Sequence, residues 1–237
     1  FSKNQDTTMT KALILDDERD ICELIEMSLM GQDITCTSVY TIRAAIKALC
    51  TSYHAGGKLI VCGNGGSAAD AEHIVGELMK GFLLPRHLDE DILAKLHEAC
   101  DAADPLTVDY FMRHLQGALP AISLPSQLAI STAFANDQAP DLTFAQQVLG
   151  LGRAGDVLLG ITTSGNSKNV LYAFRMAKAL GMTTIALTGA SGGKCASGFA
   201  DIVIKAPEEE TYKIQEYHLP IYHTLCIAVE EEFFGAE

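Results

Sequence analysis

The feature that most constrains the fold is a glycine-rich loop between an apolar run and a helical pattern. Leu59, Ile60 and Val61 lead into residues 63–67, which read Gly-Asn-Gly-Gly-Ser and are called the glycine loop below. Glycines let the chain turn sharply and let backbone N–H groups approach a ligand closely. A helical pattern follows, and Ser67 lies where its N-cap is expected. This strand–loop–helix unit predicts a site for an oxyanion or for sugar hydroxyls.

Two side chains of the same helix suit a metal ion or proton transfer. His73 and Glu77 lie four residues apart, so they share one helix face. Near the C terminus, Gln215 and His223 are eight residues apart on a second helical segment, a little over two turns. Two imidazoles, a carboxylate and an amide oxygen could fill the shell of a zinc ion, although a helix histidine is more often a structural residue. Pro220, inside the second segment, predicts a kink.

A second polar loop follows a later apolar run. Residues 162–167, called the hydroxyl loop below, read TTSGNS and precede a helical pattern. Hydroxyl and N–H groups that converge at a helix N terminus can bind phosphate without lysine or arginine. An ordinary strand-to-helix turn with Ser167 as the N-cap is the alternative interpretation. The predicted phosphate-binding hydroxyls are those of Thr162, Thr163, Ser164 and Ser167.

The order of the segments predicts an α/β fold. Strands are expected at 58–62, 119–124, 156–161, 182–189 and 201–207, and helices at 39–56, 67–80, 126–136, 167–180 and 212–235. Short, continuously apolar strands that alternate with helices indicate a parallel five-stranded sheet with helices on both faces, of the flavodoxin-like, doubly wound type. Both polar loops then lie at the carboxyl ends of strands, where ligands bind in such folds.

Two segments fall outside this alternation. Residues 1–38 are expected to form a tail and a helical segment ahead of one domain at 39–237. Residues 83–117 are expected to form a helical insertion within that domain, because charged helical patterns lie between Pro85–Arg86 and the following strand. Such an insertion would cover the site or pack against a partner subunit.

The N-terminal segment has a second interpretation. Residues 11–30 resemble the first strand and helix of a response-regulator receiver, with Asp16 and Asp17 as its acidic pair. A working receiver also needs a phosphoacceptor aspartate, and residues 51–57, where it would fall, contain none. We therefore favour an N-terminal helix with an apolar stripe. The stripe would consist of Ile14, Ile21, Leu24, Ile25 and Leu29.

Composition excludes several classes of function. The formal net charge of −13 argues against nucleic-acid binding, which requires a basic face. No apolar run approaches the length of a membrane span, so no membrane partner is expected. Seven scattered cysteines without a Cys-x-x-Cys pair are typical of reduced thiols in a cytoplasmic protein. Phosphate would have to be held by local donors, because the overall field repels it.

Five motifs in this order resemble the SIS (sugar isomerase) domain family and, within it, the sedoheptulose 7-phosphate isomerases, also called phosphoheptose isomerases. The motifs are CGNGGSAADAEHIVGEL, AFANDQAPD, GDVLLGITTSGNSKNV, LTGASGGK and KIQEYHLPIYHTL. The resemblance covers about residues 40–237 apart from the insertion. The chain departs from the family in three places: Thr162 stands where the family has serine, which keeps the hydroxyl, the insertion at 83–117 is longer than in the simplest members, and the N-terminal segment differs. Because of the insertion, Lys80 and Arg86 are both candidates for a basic residue after the first helix.

The resemblance implies a set of site residues. One zinc ion per site would be held by His73, Glu77, Gln215 and His223, and the acid/base pair would be Glu77 and His223. Substrate would be bound by Asn64, Gly65, Gly66, Asn136, Asp137 and Gln215. Phosphate would be held by Thr162, Thr163, Ser164 and Ser167, helped by Ser67.

The resemblance also implies an activity and an assembly. The chain would interconvert sedoheptulose 7-phosphate and D-glycero-D-manno-heptose 7-phosphate through an enediol, as a homotetramer that supplies heptose for lipopolysaccharide or capsule. Two alternatives stay open at this point: a non-catalytic SIS adaptor that binds the replication initiator, and an isomerase or sensor for another sugar phosphate. Because Glu77 and His223 are both present, the enzyme is favoured over the adaptor.

Overall fold

The computed structural model describes residues 10–14, 34–38, 40–100 and 105–235. The described strands are β1 (Thr10–Ile14), β2 (Ile34–Ser38), β3 (Leu59–Gly63), β4 (Ala121–Ser123), β5 (Val157–Ile161), β6 (Thr183–Thr188) and β7 (Ile202–Lys205). The described helices are α1 (Tyr40–His54), α2 (Gly66–Met79), α3 (Glu90–Ala99), α4 (Pro105–His114), α5 (Leu128–Asp137), α6 (Thr143–Leu151), α7 (Lys168–Ala179) and α8 (Thr211–Phe234). Short 3₁₀ turns occur at Pro140–Leu142 and Cys195–Ser197.

Five strands form the main sheet, in the order β4-β3-β5-β6-β7, and every pair in it is parallel. This confirms the predicted fold class. Counted along the chain within this sheet, the order is 2-1-3-4-5, which is the flavodoxin-like arrangement. The direction of winding reverses between β3 and β5. Ligand sites of such sheets lie outside the carboxyl ends of the strands at this switch point.

The sheet separates two apolar layers. On β3, Leu59 and Val61 belong to one buried cluster, whereas Ile60 and Cys62 belong to the other, because successive strand side chains point to opposite faces. Helices α1, α2 and α8 supply the first cluster, and α6 and α7 supply the second. Covering both faces explains why the strands read as continuous apolar runs rather than as alternating patterns.

Local predictions fail at two positions. Gly65, with a φ of +58°, precedes α2, so the helix begins at Gly66 and the predicted N-cap residue, Ser67, lies inside the first turn and is buried. Because glycine tolerates this positive φ, the chain can turn into the helix at Gly65, before it reaches the serine that was predicted to cap it. Helix α6 was not predicted at all. It starts directly after a 3₁₀ turn that contains Pro140, which obscures its N terminus in the sequence.

The N-terminal prediction of a tail and helical segment at 1–38 needs correction at both ends of the segment. Residues Thr10–Ile14 form a strand, so Ile14 does not belong to a helical stripe, and this strand pairs in parallel with Ile34–Ser38. The β-branched residues at these positions favour extended backbone. The first strand agrees with the receiver-like interpretation. The rest of the predicted stripe, and both Asp16 and Asp17, lie outside the described residues.

The insertion at 83–117 is helical, as predicted, and contains α3 and α4. Helix α3 buries none of its residues, so it contributes little to the apolar core. Among the described residues, no helix has both the length and the apolar character needed to cross a lipid bilayer.

Candidate active site

The glycine loop and the hydroxyl loop start side by side at the switch point of the sheet. Gly63 and Ile161, the last residues of β3 and β5, are register partners. Beyond them, Asn64 Nδ2 donates to Asn169 Oδ1 over 3.0 Å, and Asn169 Nδ2 donates to Asn64 Oδ1 over 2.8 Å. These two hydrogen bonds join the glycine loop to the first turn of α7, the helix that the hydroxyl loop leads into, so the predicted substrate and phosphate residues lie close together.

The hydroxyl loop is shaped by its own hydrogen bonds. Thr162 Oγ1 and Ser167 Oγ lie 2.9 Å apart, and Ser164 Oγ accepts from the Asn166 N–H over 3.2 Å. Ser167 precedes α7 at the N-cap position, but its hydroxyl bonds Thr162 and does not cap the helix. Gly165 has a φ of +65°, and a Cβ there would clash with the Gly192 carbonyl. The loop is therefore held against a second loop by a glycine contact that admits no side chain.

Helices α2 and α8 run side by side and carry the predicted metal ligands. At their start, a Cβ on Gly66 would lie 2.5 Å from Gln215 Nε2, so the amide of Gln215 lies directly against the glycine loop. Two turns later, His73 Nδ1 lies 2.9 Å from Tyr222 Oη. Both contacts join residues 149 positions apart, which shows that the two helices keep one register along this length.

Three of the four predicted ligands lie together at the second contact. His73 Nε2 lies 3.2 Å from Glu77 Oε1, and the rings of His73 and His223 have their centroids 5.1 Å apart. Burial lowers the pKa of His223, His73 lowers it further, and the Glu77 carboxylate opposes both effects. The Nε2 atom of His223 is buried and has no hydrogen-bond partner among the residues that the structure describes. Lys80 Nζ reaches the other oxygen of Glu77 over 3.1 Å.

The four predicted ligands fit a zinc ion by their chemistry, and the spacing of His73 and Glu77 fits one as well. Two ligands at about 2.0–2.1 Å from a tetrahedral zinc ion are about 3.3 Å apart, close to the 3.2 Å between His73 and Glu77. The unpartnered nitrogen of His223 supplies a third donor. The described part of the chain holds no group of three or more histidine, cysteine, aspartate and glutamate side chains already placed to hold a metal ion. Here His73 and Glu77 contact each other instead, and Gln215 lies at the glycine-loop end of the helices.

The remaining predicted substrate residues lie at the end of α5. Asn136 and Asp137 are exposed, and Asn136 Nδ2 donates to Asp137 Oδ1 over 2.8 Å. They close the helix, which agrees with their simplest interpretation as a helix-stop pair. Asn64, Gly65 and Gly66 are exposed in the glycine loop, where a ligand can reach them.

Comparison with known proteins identifies the family of this chain. The model of the SIS domain matches residues 26–115 and 107–189. The phosphoheptose isomerase of Burkholderia pseudomallei is 38% identical over 197 residues, which cover 83% of this chain and 84% of that protein. That of Clostridium acetobutylicum is 36% identical over 194 residues, 82% of this chain and 83% of that protein. The chain belongs to the phosphoheptose isomerase family.

Solved structures of this family share the fold. The phosphoheptose isomerase from Neisseria gonorrhoeae superposes with a TM-score of 0.63 at 30% identity and covers 90% of this chain and 92% of its own. The one from Francisella tularensis gives a TM-score of 0.62 at 31% identity, with the same coverage. The chain is accordingly an enzyme, a sugar-phosphate isomerase built on a SIS domain.

The sequence analysis missed a buried ion pair next to the candidate active site. Arg86 Nε donates to Glu230 Oε1 over 2.8 Å, and the two side chains are 0% and 1% exposed. Arg86 also donates to the main-chain carbonyls of Glu77 and Leu78 at the end of α2, over 2.9 and 2.6 Å. Arg86 was one of two candidates for the basic residue that the family has after the first helix. Its burial indicates that it anchors the end of α2, whereas the exposed Lys80 contacts Glu77 directly.

His218 on α8 gives a prediction for stability in acid. Burial lowers its pKa to about 4, although the Thr188 carbonyl, 3.3 Å from His218 Nε2, opposes the shift. Between about pH 6.5 and pH 4 the unfolded chain binds a proton at this histidine and the folded chain does not, so stability falls as the pH falls. We expect the loss to approach about 3 kcal/mol at pH 4. Denaturant unfolding from pH 7.5 down to about pH 4 measures it.

The variant His218→Gln isolates this contribution. Glutamine is neutral throughout that range, so the free energy of unfolding should depend less steeply on pH in the variant than in the wild type. An unchanged slope would show that other groups cause the acid lability.

Proposed function

We propose that this isomerase interconverts sedoheptulose 7-phosphate and D-glycero-D-manno-heptose 7-phosphate, as an aldose–ketose isomerase that supplies heptose for lipopolysaccharide or capsule. The observation that carries the proposal is the contact between the His73–Glu77 pair and His223, on the two helices that border the glycine loop. The names of the relatives described above support heptose phosphate as the substrate class.

The hydroxyl loop would hold the phosphate group. Thr162, Thr163, Ser164 and Ser167 offer hydroxyl donors ahead of α7, whose N-terminal N–H groups favour an anion. No positive side chain is required there, in agreement with the acidic net charge of the chain. Asn64, Gly65 and Gly66 would contact the sugar, since the Asn64–Asn169 hydrogen bonds tie this loop to the first turn of α7, next to the hydroxyl loop.

Isomerisation moves a proton between C1 and C2 of the sugar through an enediol. Glu77 would take the proton from one carbon and return it to the other, and His223 would move a proton at the carbonyl oxygen. A zinc ion held by His73, Glu77, Gln215 and His223 would polarise that carbonyl. The aromatic ring of Phe82, 5.3 Å from the ring of His223, would limit the access of water to the acid/base pair.

The proposal extends to a homotetramer. Helix α5 is rich in apolar residues but buries none of them in this chain, and Leu128 is 72% exposed. A second copy that covers this helix would remove its apolar surface from water. Asn136 and Asp137, at the end of the same helix, would then lie at a subunit boundary and could reach substrate there.

Turnover of sedoheptulose 7-phosphate by the zinc-loaded protein tests the function. We expect an aldose product by NMR, about one zinc ion per chain and the native mass of a tetramer. Fructose 6-phosphate is the matched control substrate, since it shares the ketose and phosphate groups but is one carbon shorter. Turnover of the control alone would indicate an isomerase for another sugar phosphate. A metal-free, inactive but self-associating protein would contradict the proposal and favour the non-catalytic adaptor.

A further inference from the structure

Tyr222 lies buried behind His73, on the opposite side of the imidazole from Glu77. Its side chain is 1% exposed, although the hydroxyl reaches two polar partners on α2. Tyr222 Oη lies 2.9 Å from His73 Nδ1, and it donates to Asp70 Oδ1 over 3.5 Å. Asp70 and His73 are three residues apart on one helix face, so the phenol from α8 contacts both at once.

The hydrogens available to these three groups determine the tautomer of His73. A carboxylate only accepts hydrogen bonds, so the single hydrogen of the Tyr222 hydroxyl goes to Asp70. The other oxygen of Asp70 is buried and has no hydrogen-bond partner in the described part of the chain, so loss of the hydrogen bond from Tyr222 would leave the whole carboxylate unpaired. The phenol oxygen then accepts from His73, whose Nδ1 must carry the hydrogen. A neutral His73 consequently has its lone pair on Nε2.

That lone pair faces a second acceptor. His73 Nε2 and Glu77 Oε1 are 3.2 Å apart, and neither atom of such a neutral histidine and ionised glutamate carries a hydrogen. Two acceptors at this distance repel each other unless a cation lies between them. We propose that Tyr222 and Asp70 are positioning residues that hold His73 in its Nδ1–H tautomer, so that Nε2 and Glu77 together bind a metal cation. This inference rests on the proposed zinc-dependent function.

The tautomer can be measured in the metal-free protein. At about pH 8, above the usual pKa of histidine, long-range ¹H–¹⁵N spectra distinguish a protonated Nδ1 from a protonated Nε2. In the wild type we expect the Nδ1–H form at His73. In Tyr222→Phe the acceptor for Nδ1 is lost, and Nε2–H can donate to Glu77, so the Nε2–H form should predominate. Asp70→Asn keeps the phenol but removes the charged acceptor, and it should shift the same balance partway.

Zinc affinity is the second readout. Competition with a chelator should show zinc binding 10- to 100-fold weaker in Tyr222→Phe, the usual cost of losing a group that orients a ligand histidine. Tyr53→Phe is the matched control: Tyr53 is also buried in the α1–α2–α8 core, and its hydroxyl donates to the Pro120 carbonyl over 3.2 Å, away from the metal ligands. Tyr53→Phe also removes a buried phenol hydroxyl, at a similar cost in stability, and should leave both the zinc affinity and the tautomer of His73 unchanged.

The outcomes separate this inference from the proposed function. An unchanged tautomer and a zinc affinity within about twofold of wild type in Tyr222→Phe would overturn the inference, even if the wild type is an active isomerase. An inactive wild type would overturn the proposed function, whereas the metal-free spectra would still test the role of Tyr222. If Tyr222→Phe does not fold, Asp70→Asn provides the test. An unshifted tautomer of His73 in that variant would overturn the inference.

Discussion

Replacing Glu77 with glutamine should lower kcat by about 10³-fold while the substrate remains bound. Glutamine keeps the length and shape of glutamate, but its amide cannot take a proton from a carbon acid. In the structure the Glu77 carboxylate contacts both His73, over 3.2 Å, and Lys80, over 3.1 Å. The ring of His223 lies beside that of His73, with the centroids 5.1 Å apart. Single-turnover rates with sedoheptulose 7-phosphate, together with calorimetric substrate affinity, measure the two effects separately.

Glu72→Gln is the matched control for this variant. Glu72 lies on the same helix and also accepts a hydrogen bond, from Ser126 over 3.0 Å, but its side chain is exposed and is not one of the proposed ligands. It should retain wild-type kcat. Zinc content must be measured in both variants, because Glu77 is also a proposed ligand. A Glu77→Gln protein that loses zinc but recovers activity in excess zinc would not support Glu77 as the base, and near-normal turnover would contradict it outright.

Replacing Glu230 with alanine should destabilise the fold by about 3–5 kcal/mol. Burial by itself would raise the pKa of this carboxyl, but the N–H groups of Phe82, Leu83 and Leu84 and the guanidinium of Arg86 outweigh it and hold the pKa below its usual range. Without the carboxylate, Arg86 would remain a buried charge without its counterion, and three backbone donors would lose their acceptor. Equilibrium denaturation in urea measures the loss.

An exposed ion pair provides the comparison for this prediction. Asp109 and Arg113 on α4 form a pair four residues apart, but their side chains are 51% and 71% exposed. Asp109→Ala should therefore cost less than about 1 kcal/mol. If Glu230→Ala does not fold, Glu230→Gln retains an acceptor oxygen and should give a measurable, smaller loss. Equal effects at Glu230 and Asp109 would contradict the view that burial makes the Arg86 pair important.

Because Arg86 donates to the carbonyls of Glu77 and Leu78, the same ion pair also fixes the end of the helix that carries the proposed base. Loss of Glu230 should for this reason lower activity as well as stability. The Arg86–Glu230 ion pair, which joins α2, the following loop and α8, thus contributes to both the stability and the activity of this enzyme.

The fold class and the position of the site could be predicted from local patterns. The strand at Leu59–Gly63 and the turn after it could be predicted from the apolar run and the glycines that follow it. The periodicity of strands and helices, and the turns that glycine permits, depend only on residues that are neighbours in the chain. The same holds for the hydroxyl loop after β5. Because ligand-binding loops of parallel sheets lie at the carboxyl ends of the strands, both loops could be placed at the same edge of the sheet without any knowledge of long-range contacts.

Helix starts were harder to predict where they depend on a few dihedral angles. Ser67 looked like an N-cap, yet the chain turns at Gly65, whose φ is positive, and Gly65 takes the N-cap position two residues earlier. Likewise β1 pairs with β2, so Ile14 is extended. In each case a backbone conformation or a strand partner overrode a side-chain preference, which is worth only about 1 kcal/mol.

The sequence alone thus determined the sheet, its two polar loops and the residue types that can bind a sugar phosphate, because these depend on periodicity and on neighbours in the chain. Only the tertiary structure decided which side chains act together. Tyr222 reaches His73 across 149 positions, and Glu230 reaches Arg86 across 144. Such contacts depend on the register of α2 against α8, which is set by packing in the shared core and not by any pattern within either helix.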